Sequence, residues 1–301
     1  MSALIAVEFR RLLSRRLFRV LVGLAVLGIA IGGVVVAVRS HAPPPGERAR
    51  VDAQVRDCLD GKMVRAEDLP PGITLREFCE HNLLPSLLAL NDPRYRLDGL
   101  PGTLKGLSTL LVIGGLLIGA SFAGAEWQAS SMATLLTWEP RRMRVFLAKA
   151  LACGVVVFVL AVALEALLGA VLSLVAATRG TTAGTGDGWL RGVVGLGARI
   201  GGLAGLAALM GLAITTVARN TAAALGVAFA YFGVIEGLIR GLLPSWSRWL
   251  VGDNAVVFVA GRSSGPGGIG RSPTEAILLL FAYGLALMTA AALSFRARDV
   301  T

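Results

Sequence analysis

The sequence predicts an all-α polytopic membrane protein with six transmembrane helices, an N-terminal amphipathic interface helix and an extracytoplasmic insert between the first two spans. Three observations support this fold class. Hydrophobic residues make up 55% of the 301 residues, and charged residues only 16%. The mean hydropathy of +0.71 is too high for an ordinary soluble domain. Several apolar runs also reach the length of about 20 residues that crosses the hydrocarbon core of a bilayer.

Six apolar runs are the predicted transmembrane helices. They cover residues 18–38, 104–124, 146–176, 193–217, 221–243 and 275–294. The first run follows a basic start, as in a signal peptide, but no convincing Ala-x-Ala cleavage site comes after it. We therefore expect this run to be retained as a membrane anchor.

The orientation follows from the basic residues of the short loops, which stay on the cytoplasmic side. They precede the first span, lie between the second and third, and follow the sixth in the tail 295–301. These residues are Arg10, Arg11, Arg15, Arg16, Arg19, Arg141, Arg142, Arg144, Lys149, Arg296 and Arg298. With six spans they all fall on one side, which predicts that both termini are cytoplasmic.

The net charge of +10 is assigned to contacts with membrane lipids, since the arginines flank the spans. The sequence has no basic patch interleaved with aromatic residues, so nucleic acid is not an expected partner. A composition rich in arginine, with three lysines in all, indicates a GC-rich bacterial genome and therefore the bacterial cell membrane.

Residues 1–17 predict an amphipathic helix along the inner leaflet. One helical stripe holds Ile5, Phe9, Leu12 and Leu13, and another holds Glu8, Arg11 and Arg15. A simple basic flank of the first span explains this pattern equally well.

The only sizeable polar segment, residues 39–103, is predicted to form a small extracytoplasmic cap. It opens with HAPPPGER, which is typical of an extended tether. Cys58 and Cys79 both belong to it, whereas Cys153 lies in an apolar span, so an oxidising exterior favours a Cys58–Cys79 disulfide. The alternative is two unpaired, partly buried thiols.

Charged residues within the spans are candidates for a translocation path, because each costs a few kcal/mol in the bilayer unless it is paired or hydrated. They are Glu165, Arg199 and Glu236. Glu236 and Arg240 are four residues apart on one helix, and mutual neutralisation is the favoured interpretation of that pair. Glu165 has no partner nearby in sequence, and we expect it to face the bundle interior or a water-filled passage.

Glycines at fourfold spacing predict close helix packing, within the subunit or across a dimer. They are Gly197, Gly201 and Gly205 in the fourth span and Gly233, Gly237 and Gly241 in the fifth.

Residues 244–274 are predicted to form an outer amphipathic loop, with Trp246 and Trp249 at the membrane interface. Its stretch GPGGIGRS, residues 265–272, is similar to a phosphate-binding loop. Such a loop requires a preceding strand and a following soluble helix, whereas this one leads into an apolar span. We therefore interpret it as a turn.

The sequence offers no set of catalytic groups in the membrane. Its only histidines, His41 and His81, lie in the outer segment, and no HExxH motif or cysteine cluster with metal spacing occurs. The chain is therefore predicted to be neither an enzyme nor a metal or cofactor binder. These absences favour a transport role in which another protein supplies the energy.

The stretch AEWQASSMATLLTWEPRRMRVFLAKALA, residues 125–152, joins the second and third spans on the predicted cytoplasmic side. Its first part predicts a short helix that carries Leu135 and Leu136. That helix ends before Pro140, because the residue before a proline disfavours helix. The short helix would offer apolar side chains to a cytosolic partner.

This stretch resembles the turn between spans two and three in export-type permease subunits of ATP-binding cassette transporters, the type 2 class. That family has Glu, three residues, Gly-Thr, a Leu-Leu-Thr-like segment, Pro, one residue, Arg, and Lys about seven positions on. The corresponding residues here are Glu126, Ser130, Ser131, Leu135, Leu136, Thr137, Pro140, Arg142 and Lys149. The two serines stand where Gly-Thr is usual, and the match covers about 25 residues.

The resemblance implies that residues 125–145 form a coupling helix that docks on a separate cytosolic ATPase. ATP and magnesium would bind that partner, and a second permease subunit would complete a homo- or heterodimer. Two alternative functions are an ATPase-independent membrane transporter or channel and a membrane sensor whose outer cap binds a ligand.

Overall fold

The computed structural model describes residues 2–42, 46–64, 69, 73–83, 92–128, 141–263 and 269–297. Within these residues the chain is helical and contains no strand; only an isolated bridge joins Arg96 and Thr181. The longer helices before residue 130 are α1 (Ser2–Leu13), α2 (Arg16–Arg39), α3 (Glu47–Leu59) and α4 (Leu100–Gln128), and a short helical stretch covers residues 75–83. Five follow: α5 (Arg142–Arg179), α6 (Trp189–Ala218), α7 (Thr221–Leu242), α8 (Val251–Ala260) and α9 (Pro273–Ala297).

Six of these helices are long and apolar enough to cross a membrane, namely α2, α4, α5, α6, α7 and α9. The prediction of an all-helical multi-pass membrane protein is therefore confirmed. Helix α5 reaches 38 residues and extends beyond its predicted apolar run at both ends. Helical hydrogen bonding continues there because residues 142–145 and 177–179 contain neither proline nor glycine. Helix α7 contains a π-helical turn, Ala230–Ile235.

Residues 1–29, 99–169 and 187–301 form one compact unit. Its closest packing joins α4 to α6. A Cβ atom on Gly119 or Gly115 would collide with the backbone carbonyl of Ala208 or Ala204, so these glycines allow the two backbones to touch. Buried side chains such as Phe122 and Leu212 fill the remaining space.

The two glycine stripes have different surroundings. In α6, Gly201 packs on Val162 and Phe158, and Gly205 faces the backbone of Gly154, so the first stripe packs against α5. In α7, a Cβ atom added to Gly237 or Gly241 would meet no described atom within 4 Å. Packing within the subunit is therefore confirmed for the stripe in α6 alone.

Residues 30–98 and 170–186 form a second compact unit. Cys58 in α3 is bonded to Cys79, with 6.0 Å between their Cα atoms, as the sequence predicts. Val51 and Val55 pack around this disulfide in a small apolar cluster. Ser40 donates a hydrogen bond to the carbonyl of Arg179, 2.8 Å away, and accepts one from the N–H of Tyr95.

Residues 244–260, within the predicted loop at 244–274, form two short helical elements. A 3₁₀ turn, Pro244–Trp249, leads into α8, which packs against α6 and α9. The side chain of Asn254 is fully buried and donates hydrogen bonds to the carbonyls of Arg248 and Leu250. The predicted amphipathic segment thus contains a short helix that packs on the bundle.

Candidate functional site

A buried cluster of charged side chains joins three helices. The Lys149 ammonium donates hydrogen bonds to Glu8 Oε2 at 2.8 Å and to Glu126 Oε1 at 2.7 Å. Arg15 donates to the same Glu126 oxygen at 3.4 Å. Glu8, Lys149 and Glu126 are 0%, 3% and 6% exposed. These four residues are called the charge cluster below.

Each member of the charge cluster belongs to a different structural element. Glu8 lies in the middle of α1, Glu126 in the last turn of α4 and Lys149 in the second turn of α5, while Arg15 links α1 to α2. The cluster therefore holds the ends of α4 and α5 together, on either side of the sequence that connects them.

The aromatic ring of Phe122 lies beside both cations of the cluster. Its centroid is 4.2 Å from Lys149 Nζ and 5.0 Å from Arg15 Cζ, so both cations interact with the ring. Arg15 also donates a hydrogen bond to the carbonyl of Ser121 at 3.0 Å. The end of α4 thus supplies an acceptor and an aromatic face as well as the Glu126 carboxylate.

The charge cluster is electrically balanced, with two carboxylates and two cations. Burial lowers the pKa of the Arg15 guanidinium, and the charges of Glu126 and Glu8 oppose that decrease. The Arg15 guanidinium nevertheless stays protonated at neutral pH, because the ordinary pKa of arginine lies far above that pH. Arg11, on the more exposed side, adds an ion pair of 3.3 Å to Glu8. Buried charges are tolerated only when they are paired and hydrogen-bonded in this way.

One residue of the polar stripe predicted for the N-terminal helix, Glu8, is completely buried, and Leu12 is buried one turn later. Leu13, which the prediction placed on the apolar face, is 47% exposed. The inward face of α1 therefore combines an acid with apolar residues, because Lys149 offers the acid a partner.

The structure brings together two of the residues predicted for ATPase coupling, Glu126 and Lys149. Arg142 begins α5 and is half-buried. Ser131, Leu135, Leu136 and Pro140 lie outside the described residues. Sequence reasoning missed Glu8 and Arg15 as their partners. No sequence pattern signals these partners, because they lie more than 100 residues from Glu126 and Lys149 in the chain.

Glu165, predicted to lie on a translocation path, is buried between α5 and α6. One carboxylate oxygen faces Gly197, where a Cβ would be 3.2 Å away. Neither oxygen has a hydrogen-bond partner among the described residues, although the residue is only 7% exposed. In the charge cluster, by contrast, each carboxylate accepts a hydrogen bond from Lys149.

The other intramembrane charges lie apart from Glu165. The guanidinium of Arg199 lies against Gly261, directly after the last turn of α8. A cation in this position complements the partial negative charge of a helix C-terminus.

Glu236 organises the turn between α7 and α8. Its Oε1 accepts a hydrogen bond from the N–H of Gly252 at 2.8 Å, in the first turn of α8. Arg240 approaches Glu236 at 3.5 Å and Asp253 at 2.9 Å. The predicted pairing of Glu236 with Arg240 is therefore present, and it extends into a network that holds α8.

Within the described residues, no group of three His, Cys, Asp or Glu side chains is arranged to hold a metal ion. The fold and the charge cluster define a multi-pass α-helical membrane protein whose N-terminal helix is joined to two membrane-spanning helices by buried ion pairs. No family model, curated protein or solved structure matches this chain.

Proposed function

We propose that this chain is the membrane-spanning permease subunit of a type 2, export-class ATP-binding cassette transporter. Support comes from the resemblance of residues 125–152 to the coupling turn of that family. In this proposal Leu135 and Leu136 dock on a separate cytosolic ATPase that binds ATP and magnesium. The permease itself provides the path and makes or breaks no covalent bond.

The charge cluster is the observation that carries the proposal furthest. Lys149 in α5 contacts both Glu126 in α4 and Glu8 in α1. A displacement of the sequence between α4 and α5 would therefore be passed to three helices together. A connection with flexible ends would dissipate such a displacement, whereas buried ion pairs keep the ends of both helices in register.

The proposed mechanism is mechanical. Closure of two ATPase subunits on ATP would push the coupling turns, and α4 and α5 would move as rigid bodies between two states. In this scheme ATP binding favours one state of the permease pair and hydrolysis restores the other. Binding energy changes the equilibrium only because the ATPase contacts differ between the two states.

A second permease subunit, identical or related, is part of the proposal. Helix α7 buries little of its surface within the described chain, and Gly237 and Gly241 leave one face open. Small residues on an open transmembrane face allow another helix to approach closely. This face is therefore a suitable surface for the partner permease.

The proposal is tested by co-purification and ATP hydrolysis. The tagged chain is purified from its host to identify an ATPase that binds it, and stimulation of that ATPase is measured with wild type, Leu135→Glu, Leu136→Glu and the double variant. We expect the double variant to lose ATPase binding or stimulation while its thermal unfolding is unchanged. Ser14→Glu is the matched control, because Ser14 is exposed and precedes the first crossing. Full stimulation by the double variant contradicts the coupling assignment.

Glu165 favours a second candidate function, an ATPase-independent transporter. A buried carboxyl group without a partner among the described residues is a typical site for a proton or a cation in membrane transporters. This candidate predicts that proteoliposomes containing only this chain transport cargo under a proton gradient, and that Glu165→Gln abolishes the transport. Activity that requires the ATPase supports the permease instead.

A further inference from the structure

Two arginines share one tryptophan ring at the start of the last span. The guanidinium carbon of Arg248 is 5.6 Å from the Trp249 ring centroid, and that of Arg271 is 5.0 Å from it. An open cavity of about 290 Å³ lies beside them. It is lined by Arg248, Ile269, Gly270, Arg271 and Glu275. Residues from both ends of the connection between α7 and α9 therefore converge on one depression.

Ion pairs within the described residues do not neutralise the positive charge at this cavity. Within the described residues, Glu275 interacts electrostatically with Arg271, and its single negative charge leaves one of the two positive charges of Arg248 and Arg271 uncompensated. The neighbouring segment 264–268 has the sequence SGPGG and contains no acid. A contact with an aromatic ring does not use the N–H donors of a guanidinium group, so these donors are suited to an anionic ligand.

Glu275 also lines the cavity, but its carboxylate has another role. Its Oε2 accepts hydrogen bonds from the N–H of Ser272 at 2.8 Å and from the Ser272 hydroxyl at 3.0 Å. The N–H of Glu275 in turn donates to the Ser272 hydroxyl at 3.2 Å. This reciprocal pair is a capping box that begins α9. The cavity therefore retains a net positive charge, with one acid committed to the backbone.

The position of the cavity indicates where its ligand comes from. Helix α7 ends and α9 begins at this connection, so the cavity lies where two membrane-spanning helices reach the surface. Trp246 and Trp249 are 59% and 44% exposed, as expected for aromatic residues at the level of lipid headgroups. The anions that are abundant at that depth are lipid phosphates.

We propose that Arg248, Arg271 and Trp249 bind the phosphate of an anionic phospholipid headgroup. The two guanidinium groups donate hydrogen bonds to the phosphate oxygens, and the indole lies against the glycerol and upper acyl region. This site is separate from the proposed coupling turn, and it requires only that α7 and α9 cross the membrane.

The test uses native mass spectrometry of the full-length chain, titrated in detergent with phosphatidylglycerol and, separately, with phosphatidylcholine. Wild type is expected to retain phosphatidylglycerol in preference to phosphatidylcholine. The double variant Arg248→Gln/Arg271→Gln is expected to lose roughly tenfold or more of its phosphatidylglycerol affinity. The matched control, Lys105→Gln/Arg191→Gln, removes two exposed cations from the outer ends of α4 and α6 and is expected to bind like wild type.

Three outcomes overturn the proposal. The first is equal phosphatidylglycerol affinity in the double variant and wild type. The second is an equal loss in the control, which would indicate a diffuse charge effect. The third is displacement of the lipid by millimolar inorganic phosphate, which would assign the site to a soluble anion. If the double variant does not fold, Arg271→Gln alone is measured with the same expectation, since Arg271 lies in the connection before α9.

Discussion

Lys149 Nζ lies 2.8 Å from Glu8 Oε2, although 141 residues separate them in the chain. Its second acceptor, Glu126 Oε1, is 2.7 Å away. One ammonium group therefore holds the N-terminal helix against the ends of two membrane-spanning helices. All three charges are removed from solvent, so each depends on the others for compensation.

Replacing Lys149 with Met is expected to destabilise the fold strongly. The change removes the donor that the buried carboxylates of Glu8 and Glu126 share, while Arg11 still pairs with Glu8 and Arg15 with Glu126. Loss of one member of a buried ion pair costs about 3–5 kcal/mol. The measurement is the thermal unfolding midpoint in detergent.

The matched control for this variant is Lys105→Met, which removes an exposed lysine near the beginning of α4. Exposed substitutions away from specific contacts change stability by about 0.5 kcal/mol or less. Similar unfolding midpoints for the two variants would show that the charge cluster contributes little.

Two buried glutamates are expected to respond in opposite ways to the same substitution. Glu126→Gln removes a charge that Lys149 and Arg15 both contact, so we expect a loss of about 1–3 kcal/mol. Glu165→Gln replaces a buried carboxyl group whose oxygens have no hydrogen-bond partner among the described residues. The thermal unfolding midpoint of Glu165→Gln should stay unchanged or rise. An equal decrease in both variants would show that the two glutamates contribute equally to stability.

The sequence is sufficient to predict the helices but not their contacts. Apolar runs of about 20 residues identify the six spanning helices because the bilayer requires that length. Nothing in the pattern indicates that Glu8 pairs with Lys149, since an acid on an amphipathic helix usually faces solvent. Glu126 and Lys149 were identified through a family resemblance, and their 2.7 Å contact could only come from the structure.

The same limit applies to the outer connection. Trp246 and Trp249 predict an interfacial position for this connection, but they do not predict that Glu236 accepts a hydrogen bond from the first turn of α8. That contact joins residues 16 positions apart across a turn. No helical or strand periodicity relates two residues in that way, so sequence patterns do not reveal the contact.

Gly119 is expected to be intolerant of even one methyl group. A Cβ there would collide with the backbone of Ala208, so Gly119→Ala must push α4 away from α6. Gly114, in the same helix, meets no described atom within 4 Å of such a Cβ. Gly114→Ala should therefore be neutral or slightly stabilising, because alanine favours helix.

The Gly119→Ala and Gly114→Ala variants are compared by thermal unfolding and by their yield of monodisperse protein. Gly119→Ala is expected to lower stability by about 1–3 kcal/mol, the usual cost of overpacking a tight contact. Equal stability of the two alanine variants would show that α4 and α6 are not in backbone contact in the membrane.

Reduction of the Cys58–Cys79 disulfide is expected to loosen the segment around it without unfolding the spanning helices. The two cysteines are 21 residues apart, and closing a loop of about 20 residues contributes roughly 3 kcal/mol. The measurement is limited proteolysis with and without reductant, which should yield new cleavage sites within residues 46–83 only.

The control for the reductant is the double variant Cys58→Ser/Cys79→Ser. It should be cleaved rapidly under both conditions, whereas wild type changes only when it is reduced. Cys153 is completely buried and is not expected to contribute. Resistance of the reduced wild type to protease would mean that Val51 and Val55 suffice to hold this segment.

Glu236 is expected to act mainly as a structural acceptor for α8. Glu236→Ala removes the carboxylate that accepts from the N–H of Gly252, and it should cost about 1–3 kcal/mol. Glu236→Gln retains an oxygen acceptor and should cost less. Arg240→Gln should have the smallest effect, because Arg240 is half exposed and exposed ion pairs contribute about 1 kcal/mol or less. Thermal unfolding of the three variants checks this order, and a larger loss for Arg240→Gln than for Glu236→Ala would reverse the assigned roles.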